Sequence, residues 1–147
     1  KYYAKIKKNI YNILISNKNS YNNSYNNLNN TENKLFYRPW GYYQTIMIDD
    51  NFGFQVKKIC VYPNNKISLQ YHNYRSEHWV IVKGTGIVTH NDKKINVVRG
   101  DKIYINIGEL HRIENTGDDL FIFIETQIGS YLGEDDIVRI EDDYGRI

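Results

Sequence analysis

The sequence predicts an all-β domain, because short segments that alternate apolar and polar residues are separated by turn residues. Successive side chains of a β-strand point to opposite faces, so this period is typical of strands with one buried face. The clearest segments are residues 54–61, 79–83 and 120–125. The turn signals are Pro63-Asn64-Asn65, Gly84-Thr85-Gly86, Asn91-Asp92, Arg99-Gly100-Asp101 and Thr116-Gly117-Asp118. Many short strands at this spacing predict a sandwich or a closed barrel.

The first 35 residues have a different composition. Ile6, Ile10, Ile13 and Leu14 follow helical spacing, which predicts one short amphipathic helix. Residues 16–34 include nine asparagines and few apolar side chains, so we interpret them as a low-complexity linker, with a docking tether as the alternative. We therefore predict two regions, an N-terminal helix and linker at 1–35 and a barrel at 36–147.

Composition excludes several classes of protein. The net charge is +2 without a long run of one sign, which argues against a nucleic-acid partner. No apolar stretch approaches the ~20 residues that cross a membrane, so we expect no membrane partner. The lone Cys60 cannot form an internal disulfide, and we read it as a small core residue. Without a visible secretory signal, the predicted location is the cytoplasm.

Two windows of the strand region carry residues of metal-ligand type. Gln70 and His72 lie two residues apart, so they face the same side of one strand. Glu77 follows after a turn that would bring it back beside them, and His111 begins another strand. Imidazole nitrogens and carboxylate and amide oxygens suit zinc and other divalent first-row ions. We expect these four residues to hold one divalent metal ion, zinc or another first-row ion.

The spacing of these residues resembles the two motifs of the cupin family. The first motif reads Asn64, five residues, Gln70-Tyr71-His72, four residues, Glu77, six residues, Gly84. The second reads Gly100, five residues, Asn106-Ile107-Gly108, two residues, His111, three residues, Asn115. The resemblance implies a cupin double-stranded β-helix, a jelly-roll barrel. Glutamine in place of the first histidine is similar to the phosphomannose isomerases, whose metal site is Gln, His, Glu and His.

Three further segments resemble the type II phosphomannose isomerases, which often form the C-terminal half of bifunctional mannose-1-phosphate guanylyltransferase/mannose-6-phosphate isomerases. They are RPWG at 38–41, LQYHNYRSEHW at 69–79 and GSYLGEDDIVR at 129–139. The resemblance covers residues 36–147 and implies metal-dependent interconversion of mannose 6-phosphate and fructose 6-phosphate, within GDP-mannose supply. It implies a small phosphorylated sugar as the substrate, with a homodimer or an attached guanylyltransferase domain as further partners.

The resemblance also implies roles for residues outside the ligand set. Arg75 lies in the turn between two ligand-bearing strands and is expected over the mouth of the barrel as a catalytic residue. His78 is a candidate catalytic base, although it alternates away from Glu77 and a structural role competes. Arg112, Glu125 and Arg139 are candidate substrate-binding residues: an arginine fork suits phosphate, and Glu125 is a second candidate base.

The chain departs from the family pattern at Tyr74, where a third histidine is usual, and at Asn64 and Asn106, which replace a turn glycine and a proline. Tyr74 motivates the alternative function, a cupin that binds metal or sugar without turnover. A different cupin enzyme, such as a sugar-nucleotide epimerase, would lack the metal ligands. No nucleotidyltransferase signature is present, so guanylyl transfer is not expected of this chain alone.

Overall fold

The structure, a computed structural model, describes residues 34–147, which form eleven β-strands and no helix. The predicted N-terminal helix and nearly all of the asparagine-rich tract lie outside the described residues, so the division at residue 35 stays a prediction. The strands are β1 Leu35–Arg38, β2 Gly41–Asp49, β3 Phe54–Val61, β4 Leu69–Tyr71, β5 Arg75–Lys83, β6 Thr85–His90, β7 Lys93–Val98, β8 Lys102–Ile105, β9 His111–Asn115, β10 Phe121–Gly129 and β11 Val138–Glu141.

The strands form two antiparallel sheets. One sheet has six strands in the order β1-β2-β3-β10-β5-β8, and the other has five in the order β11-β4-β9-β6-β7. Some neighbours, such as β3 and β10 or β4 and β9, come from distant parts of the sequence, since the chain crosses from one sheet to the other several times. The all-β prediction is confirmed.

Apolar side chains from both sheets form one core. It includes Trp79 on β5, Phe121 and Phe123 on β10, and Val88 and Ile113 on β6 and β9, all at most 1% exposed. Burying aromatic and branched side chains of this size removes apolar surface from water at roughly 25 cal/mol per Å². This core holds the two sheets together.

The buried face of the larger sheet changes from apolar to polar along the strands. On β10, Phe121 and Phe123 are followed on the same face by Glu125 and Gln127. On β3, Gln55 and Lys57 are buried opposite Gln127 and Glu125 in the ladder, and on β5, Arg75 and Glu77 precede Trp79. Buried polar groups require hydrogen-bond or charge partners, so this polar end of the interior is where a functional site is expected.

The turns predicted from sequence separate the strands as expected. Asn64 has a φ of 57° and Gly100 a φ of 97°, both in the left-handed region that asparagine and glycine tolerate best. Asn64 therefore replaces the turn glycine of the first motif without changing the backbone conformation required there. Across residues 34–147, no helix with the length and hydropathy of a membrane span is found.

Candidate metal centre and adjoining pocket

Three residues of ligand type meet at the polar end of the barrel. His72 follows β4, Glu77 lies on β5 and His111 begins β9, so the cluster joins both sheets. The Nε2 atoms of His72 and His111 lie 2.9 Å and 3.5 Å from the two carboxylate oxygens of Glu77. One ligand atom from each residue falls within 4.8 Å of the others, which is a group able to hold a metal ion.

Each of the two imidazoles is oriented by a contact between its Nδ1 atom and a main-chain carbonyl oxygen. His72 Nδ1 contacts the carbonyl oxygen of Asp136, and His111 Nδ1 lies 2.9 Å from the carbonyl oxygen of Glu109. Since a carbonyl oxygen only accepts, each Nδ1 donates, and a neutral ring then keeps its lone pair on Nε2. Both Nε2 atoms are buried and make no hydrogen bond to another of residues 34–147. Lone pairs that face a carboxylate need a cation between them, so the donor set fits a divalent metal.

The protonation states of the cluster also suit metal binding. Burial alone would raise the pKa of Glu77, but the imidazoles of His72 and His111 in their protonated form, together with the Arg75 guanidinium, outweigh it and hold this pKa well below its ordinary value. Burial lowers the pKa of His111, which favours the neutral imidazole. An ionised carboxylate and a neutral imidazole are the forms that coordinate metals.

Glu77 is held by neighbours that sequence reasoning did not single out. Trp79 Nε1 donates to one oxygen of Glu77 at 3.0 Å, and Gln127 Nε2 donates to the other at 3.3 Å. Arg75 Nε lies 3.4 Å from the same oxygen as Gln127. The alternation of β10 would have placed Gln127 on the buried face beside the ligands, which was the available signal. These donors fix the position of the carboxylate.

Gln70, the fourth predicted ligand, lies directly opposite His111 in the β4–β9 ladder. Its amide oxygen accepts a hydrogen bond from Ser68 Oγ at 2.6 Å. The two residues therefore share one face of the smaller sheet, while coordination by Gln70 stays a prediction.

A pocket adjoins the ligand cluster and carries an excess of positive charge. Gln70, Arg75 and Glu77 belong to its wall as well as to the predicted site. Five cationic side chains line it against three carboxylates; the cations are Arg38, Lys57, Arg75, Arg139 and Arg146, and the carboxylates are Glu77, Glu125 and Glu134. A concave site with this charge attracts a small anion.

Three arginines of this pocket, Arg38, Arg139 and Arg146, lie close enough together for their charges to interact. Partial burial, together with the like charges of Arg146 and Arg38, lowers the pKa of Arg139. The Nε of Arg139 is buried and has no hydrogen-bond partner among the residues the structure describes. A buried donor without an acceptor costs about 1–3 kcal/mol. An anion bound here would accept a hydrogen bond from Nε and remove that cost.

Two further carboxyl groups of the pocket, Glu125 and Glu134, have pKa values shifted in opposite directions. Burial and the nearby Glu77 carboxylate raise the pKa of Glu125 well above its ordinary value, which favours its neutral, protonated form. Burial would raise the pKa of Glu134, but its ion pair with Lys57 outweighs this and lowers it. Lys57 and Glu125 are direct neighbours across the β3–β10 ladder, so the Lys57 side chain lies beside both carboxyl groups.

Comparison with known families decides what kind of domain this is. The family model for the mannose-6-phosphate isomerase C-terminal domain matches residues 24–142. The chain belongs to this family. It is 48% identical over 116 residues to the xanthan biosynthesis protein XanB of Xanthomonas campestris pv. campestris (strain B100), covering 79% of this chain and 24% of that protein.

Two other relatives of this isomerase-type domain are similar over the same region. The alginate biosynthesis protein AlgA of Pseudomonas aeruginosa is 49% identical over 110 residues, 75% of this chain and 22% of AlgA. The mannose-1-phosphate guanylyltransferase ManC of Salmonella typhimurium is 47% identical over 111 residues, 76% of this chain and 23% of ManC. The chain thus spans about a quarter of the length of these relatives.

Solved structures place the isomerase-type domain in the cupin fold. A double-stranded β-helix protein of Klebsiella pneumoniae aligns with a TM-score of 0.62 at 16% identity, covering 73% of this chain and 90% of that one. The oxalate decarboxylase of Lactobacillus farciminis aligns with a TM-score of 0.63 at 20% identity, covering 73% and 33%. At these identities the likeness concerns the fold alone, and the predicted cupin double-stranded β-helix is confirmed.

His78, a predicted catalytic residue of the isomerase-type domain, lies outside the pocket. It is exposed on the face of β5 opposite Glu77, and its ring packs against Tyr104 with centroids 4.4 Å apart. Alternation along a regular strand explains this position, since neighbouring residues point to opposite faces. His78 therefore does not line this pocket, whereas Glu125, the second candidate base, does.

Arg112, a predicted substrate-binding residue, also lies outside this pocket. Its Nε donates to the Ile67 carbonyl at 3.0 Å, and its two terminal nitrogens donate to the carboxylate and the carbonyl of Glu141 at 3.1 Å and 3.2 Å. It follows His111 directly, so it points to the other face of β9, and it does not line the pocket. Its donors join β9 to the loop before β4 and to β11.

We expect Arg112→Ala to lower the free energy of unfolding by about 1–3 kcal/mol, because it removes several hydrogen bonds at a nearly buried site. The fraction that folds should retain kcat/KM within a few-fold of the parent. Urea unfolding followed by fluorescence, together with steady-state kinetics on sugar phosphate, measures both quantities. A large loss of kcat/KM with unchanged stability would instead support the predicted role of Arg112 in substrate binding.

Proposed function

We propose that the chain is a metal-dependent aldose–ketose isomerase that interconverts mannose 6-phosphate and fructose 6-phosphate. The observation that carries this proposal is the shared wall of the two sites: Gln70, Arg75 and Glu77 line the cationic pocket, and Glu77 is also a member of the His–Glu–His cluster. A sugar phosphate needs both features, an anion site for its phosphate and polar groups at its reacting carbons. Membership of the isomerase family supports the same assignment.

The phosphate is assigned to the arginines of the pocket. Arg139 supplies an unpaired buried Nε, and Arg38 and Arg146 lie close enough to influence its pKa. Guanidinium groups donate parallel hydrogen bonds to phosphate oxygens and stay charged at every working pH. Binding of a phosphate here would relieve the mutual repulsion of these arginines. The other end of the sugar would then extend toward Glu77.

The reaction moves a proton between C1 and C2 of the sugar through a cis-enediol. A divalent metal bound by His72, Glu77, His111 and the predicted Gln70 would supply Lewis-acid polarisation of the sugar oxygens. Burial and the nearby Glu77 raise the pKa of Glu125, which makes its carboxylate a stronger base than an ordinary glutamate, so it is the pocket group suited to exchange protons with the substrate. Arg75 provides a fixed positive charge beside Glu77 at the position where negative oxygen character develops.

The metal is proposed to be zinc or another divalent first-row ion. Two imidazole nitrogens and one carboxylate form the ligand set of many catalytic zinc sites, which keep a position open for substrate. The same set also accepts manganese, iron and cobalt, because nitrogen and oxygen donors select weakly among these ions.

A guanylyltransferase partner, fused or associated, is a further part of this proposal. The chain spans about a quarter of relatives, one of which is named a mannose-1-phosphate guanylyltransferase. Isomerisation to mannose 6-phosphate would place the chain in GDP-mannose supply. The cytoplasm, where sugar phosphates are metabolised, is the proposed location.

The alternative, a module that binds metal or sugar without turnover, rested on Tyr74. Its side chain is 54% exposed, meets the Tyr131 ring edge-on at 6.2 Å, and does not line the pocket. Tyr74 therefore gives no physical reason for lost turnover, and the ligand cluster and the cationic pocket favour the enzyme.

The proposal is tested by following fructose 6-phosphate formation from mannose 6-phosphate in a coupled assay after reloading with zinc, manganese or cobalt. Unphosphorylated mannose is the control for the anion site, and we expect its kcat/KM to be lower by a factor on the order of a hundred or more. Metal binding without turnover of mannose 6-phosphate would favour the binding module. Equal turnover of mannose and mannose 6-phosphate would contradict the assignment of the pocket to phosphate.

A further inference from the structure

The segment between β10 and β11, residues 130–137, contains a buried carboxylate outside the ligand cluster. Asp136 is 5% exposed. Its two carboxylate oxygens accept hydrogen bonds from the backbone N–H groups of Asn73 at 2.9 Å and Tyr74 at 3.1 Å. One of these oxygens also lies 3.8 Å from Nη1 of Arg75. The carboxylate therefore caps the turn between His72 and Arg75.

The backbone of the same residue reaches the ligand cluster directly. The carbonyl oxygen of Asp136 contacts Nδ1 of His72, the contact that leaves the Nε2 lone pair facing Glu77. The segment also binds Arg75 through the carbonyl oxygen of Gly133, which accepts from Nη1 at 2.9 Å. Asp136 thus binds the turn through its side chain and the predicted ligand His72 through its main-chain carbonyl.

We propose that Asp136 is a positioning residue that sets the orientation of the His72 imidazole and the Arg75 guanidinium toward the metal centre. This inference rests on the proposed metal site of the isomerase. Partners that bind the second nitrogen of a ligand histidine fix its tautomer and ring orientation, and their loss costs about 10–100-fold in metal affinity. Asp136 acts through two groups. Its main-chain carbonyl contacts His72 Nδ1, and its carboxylate fixes that carbonyl relative to the turn that begins at His72.

Two backbone N–H groups of the turn donate to the Asp136 carboxylate. If the carboxylate is removed, the N–H groups of Asn73 and Tyr74 lose charge-assisted acceptors, and the buried Arg75 loses one of its two nearby carboxylates. The turn can then move relative to residues 130–137. His72, at the start of that turn, would lose its fixed Nδ1 contact, so Nε2 would sample orientations away from Glu77.

The chain offers a matched control one residue away. Asp135 is exposed, and its carboxylate accepts from the Tyr131 hydroxyl at 2.7 Å without touching the turn or the ligand cluster. Asp135→Ala removes the same charge from the same segment. Asp136→Asn keeps the size of the side chain and can still accept from one N–H group, so it separates the loss of the charge from the loss of the side chain.

The experiment is a titration of the metal-free 147-residue chain with cobalt(II), whose visible absorption reports both binding and ligand geometry. We expect Asp136→Ala to weaken cobalt binding by about 10–100-fold and to change the cobalt spectrum, with a smaller loss for Asp136→Asn. Asp135→Ala should match the parent in both. Thermal unfolding of the metal-free proteins, recorded in parallel, establishes that each variant is folded at the titration temperature.

The outcomes separate this inference from the proposed function. A folded Asp136→Ala with the parent's cobalt affinity and spectrum overturns the positioning role while leaving the isomerase proposal standing. Lower thermal stability with unchanged affinity also overturns it, since Asp136 would then be structural only. If neither the Ala nor the Asn variant folds, while Asp135→Ala does, Asp136 supports the fold and the positioning role is rejected. Failure of the parent to bind cobalt would refute the metal site and this inference together.

Discussion

Replacing His111 with alanine is expected to release most of the divalent metal and to reduce isomerase turnover to background. His111 is fully buried, and its Nε2 faces the Glu77 carboxylate at 3.5 Å. Loss of a partner that only orients a ligand already costs about 10–100-fold in metal affinity, so loss of the ligand itself should cost more. Elemental analysis of protein prepared without chelator, together with the mannose 6-phosphate assay, measures both effects.

His78→Ala is the matched control, since it removes an imidazole from the outer face of β5, immediately beside the ligand Glu77 in sequence. It should retain the parent's metal content and lose little turnover. A His111→Ala protein that keeps full metal occupancy would show that the predicted ligand set is wrong. Loss of metal from His78→Ala alone would contradict the placement of the site inside the barrel.

Arg139→Ala is expected to lower kcat/KM for mannose 6-phosphate by a factor on the order of a hundred, with most of the change in KM. Its guanidinium lines the pocket with a buried Nε that lacks a partner among residues 34–147, so its removal deletes the donor best placed for a phosphate oxygen. Arg139→Lys should recover part of the loss, because lysine keeps the charge but not the planar fork. Steady-state kinetics over a range of substrate concentrations separates kcat from KM.

Arg99→Ala controls for the loss of one positive charge, since Arg99 is exposed in the turn between β7 and β8 and does not line the pocket. It should leave both constants near the parent values. An Arg139→Ala enzyme with the parent's KM would place the phosphate elsewhere in the pocket, with Arg38, Arg75 and Arg146 as the remaining arginines.

Much of the fold could be predicted from sequence because two simple signals were present. Period-two alternation marked strands such as residues 54–61, and glycine or asparagine turns marked their ends. The predicted ligands His72, Glu77 and His111 do meet in the barrel, because the spacing within each motif fixes which strand end and which face each residue occupies. Local periodicity predicts the face that each residue occupies, whereas the expectation that the two windows form one site came from their resemblance to the two cupin motifs.

The pocket was harder to predict because its charges come from strands that are distant in sequence. Lys57 and Glu125 are 68 positions apart, yet they are direct neighbours across β3 and β10. Gln55 and Gln127 are paired in the same ladder, and Gln55 Nε2 donates to Gln127 Oε1 at 2.7 Å. Polar residues on an otherwise apolar strand face were the signal for this region, but only the register between the strands shows which ones meet.

Strand parity also explains why His78 and Arg112 lie outside the pocket. Arg112 follows His111 directly, so alternation alone would have placed it on the face opposite a predicted ligand.

The position of Arg75 could not be predicted from its place in a turn. The turn position suggested an arginine over the mouth of the barrel, whereas the structure buries it against Glu77, Asp136 and the Gly133 carbonyl. A buried arginine of this kind supports the carboxylates around it, so its removal would disturb the metal centre as well as the pocket.

The central claim, that this barrel is a metal-dependent sugar-phosphate isomerase, is tested most directly by titrating the metal-free chain with zinc, manganese or cobalt. Bound metal and the rate of fructose 6-phosphate formation from mannose 6-phosphate are recorded on the same samples. We expect the rate to rise in proportion to bound metal and to stop rising at one ion per chain. Full turnover in metal-free protein, or no turnover with the site filled, would contradict it.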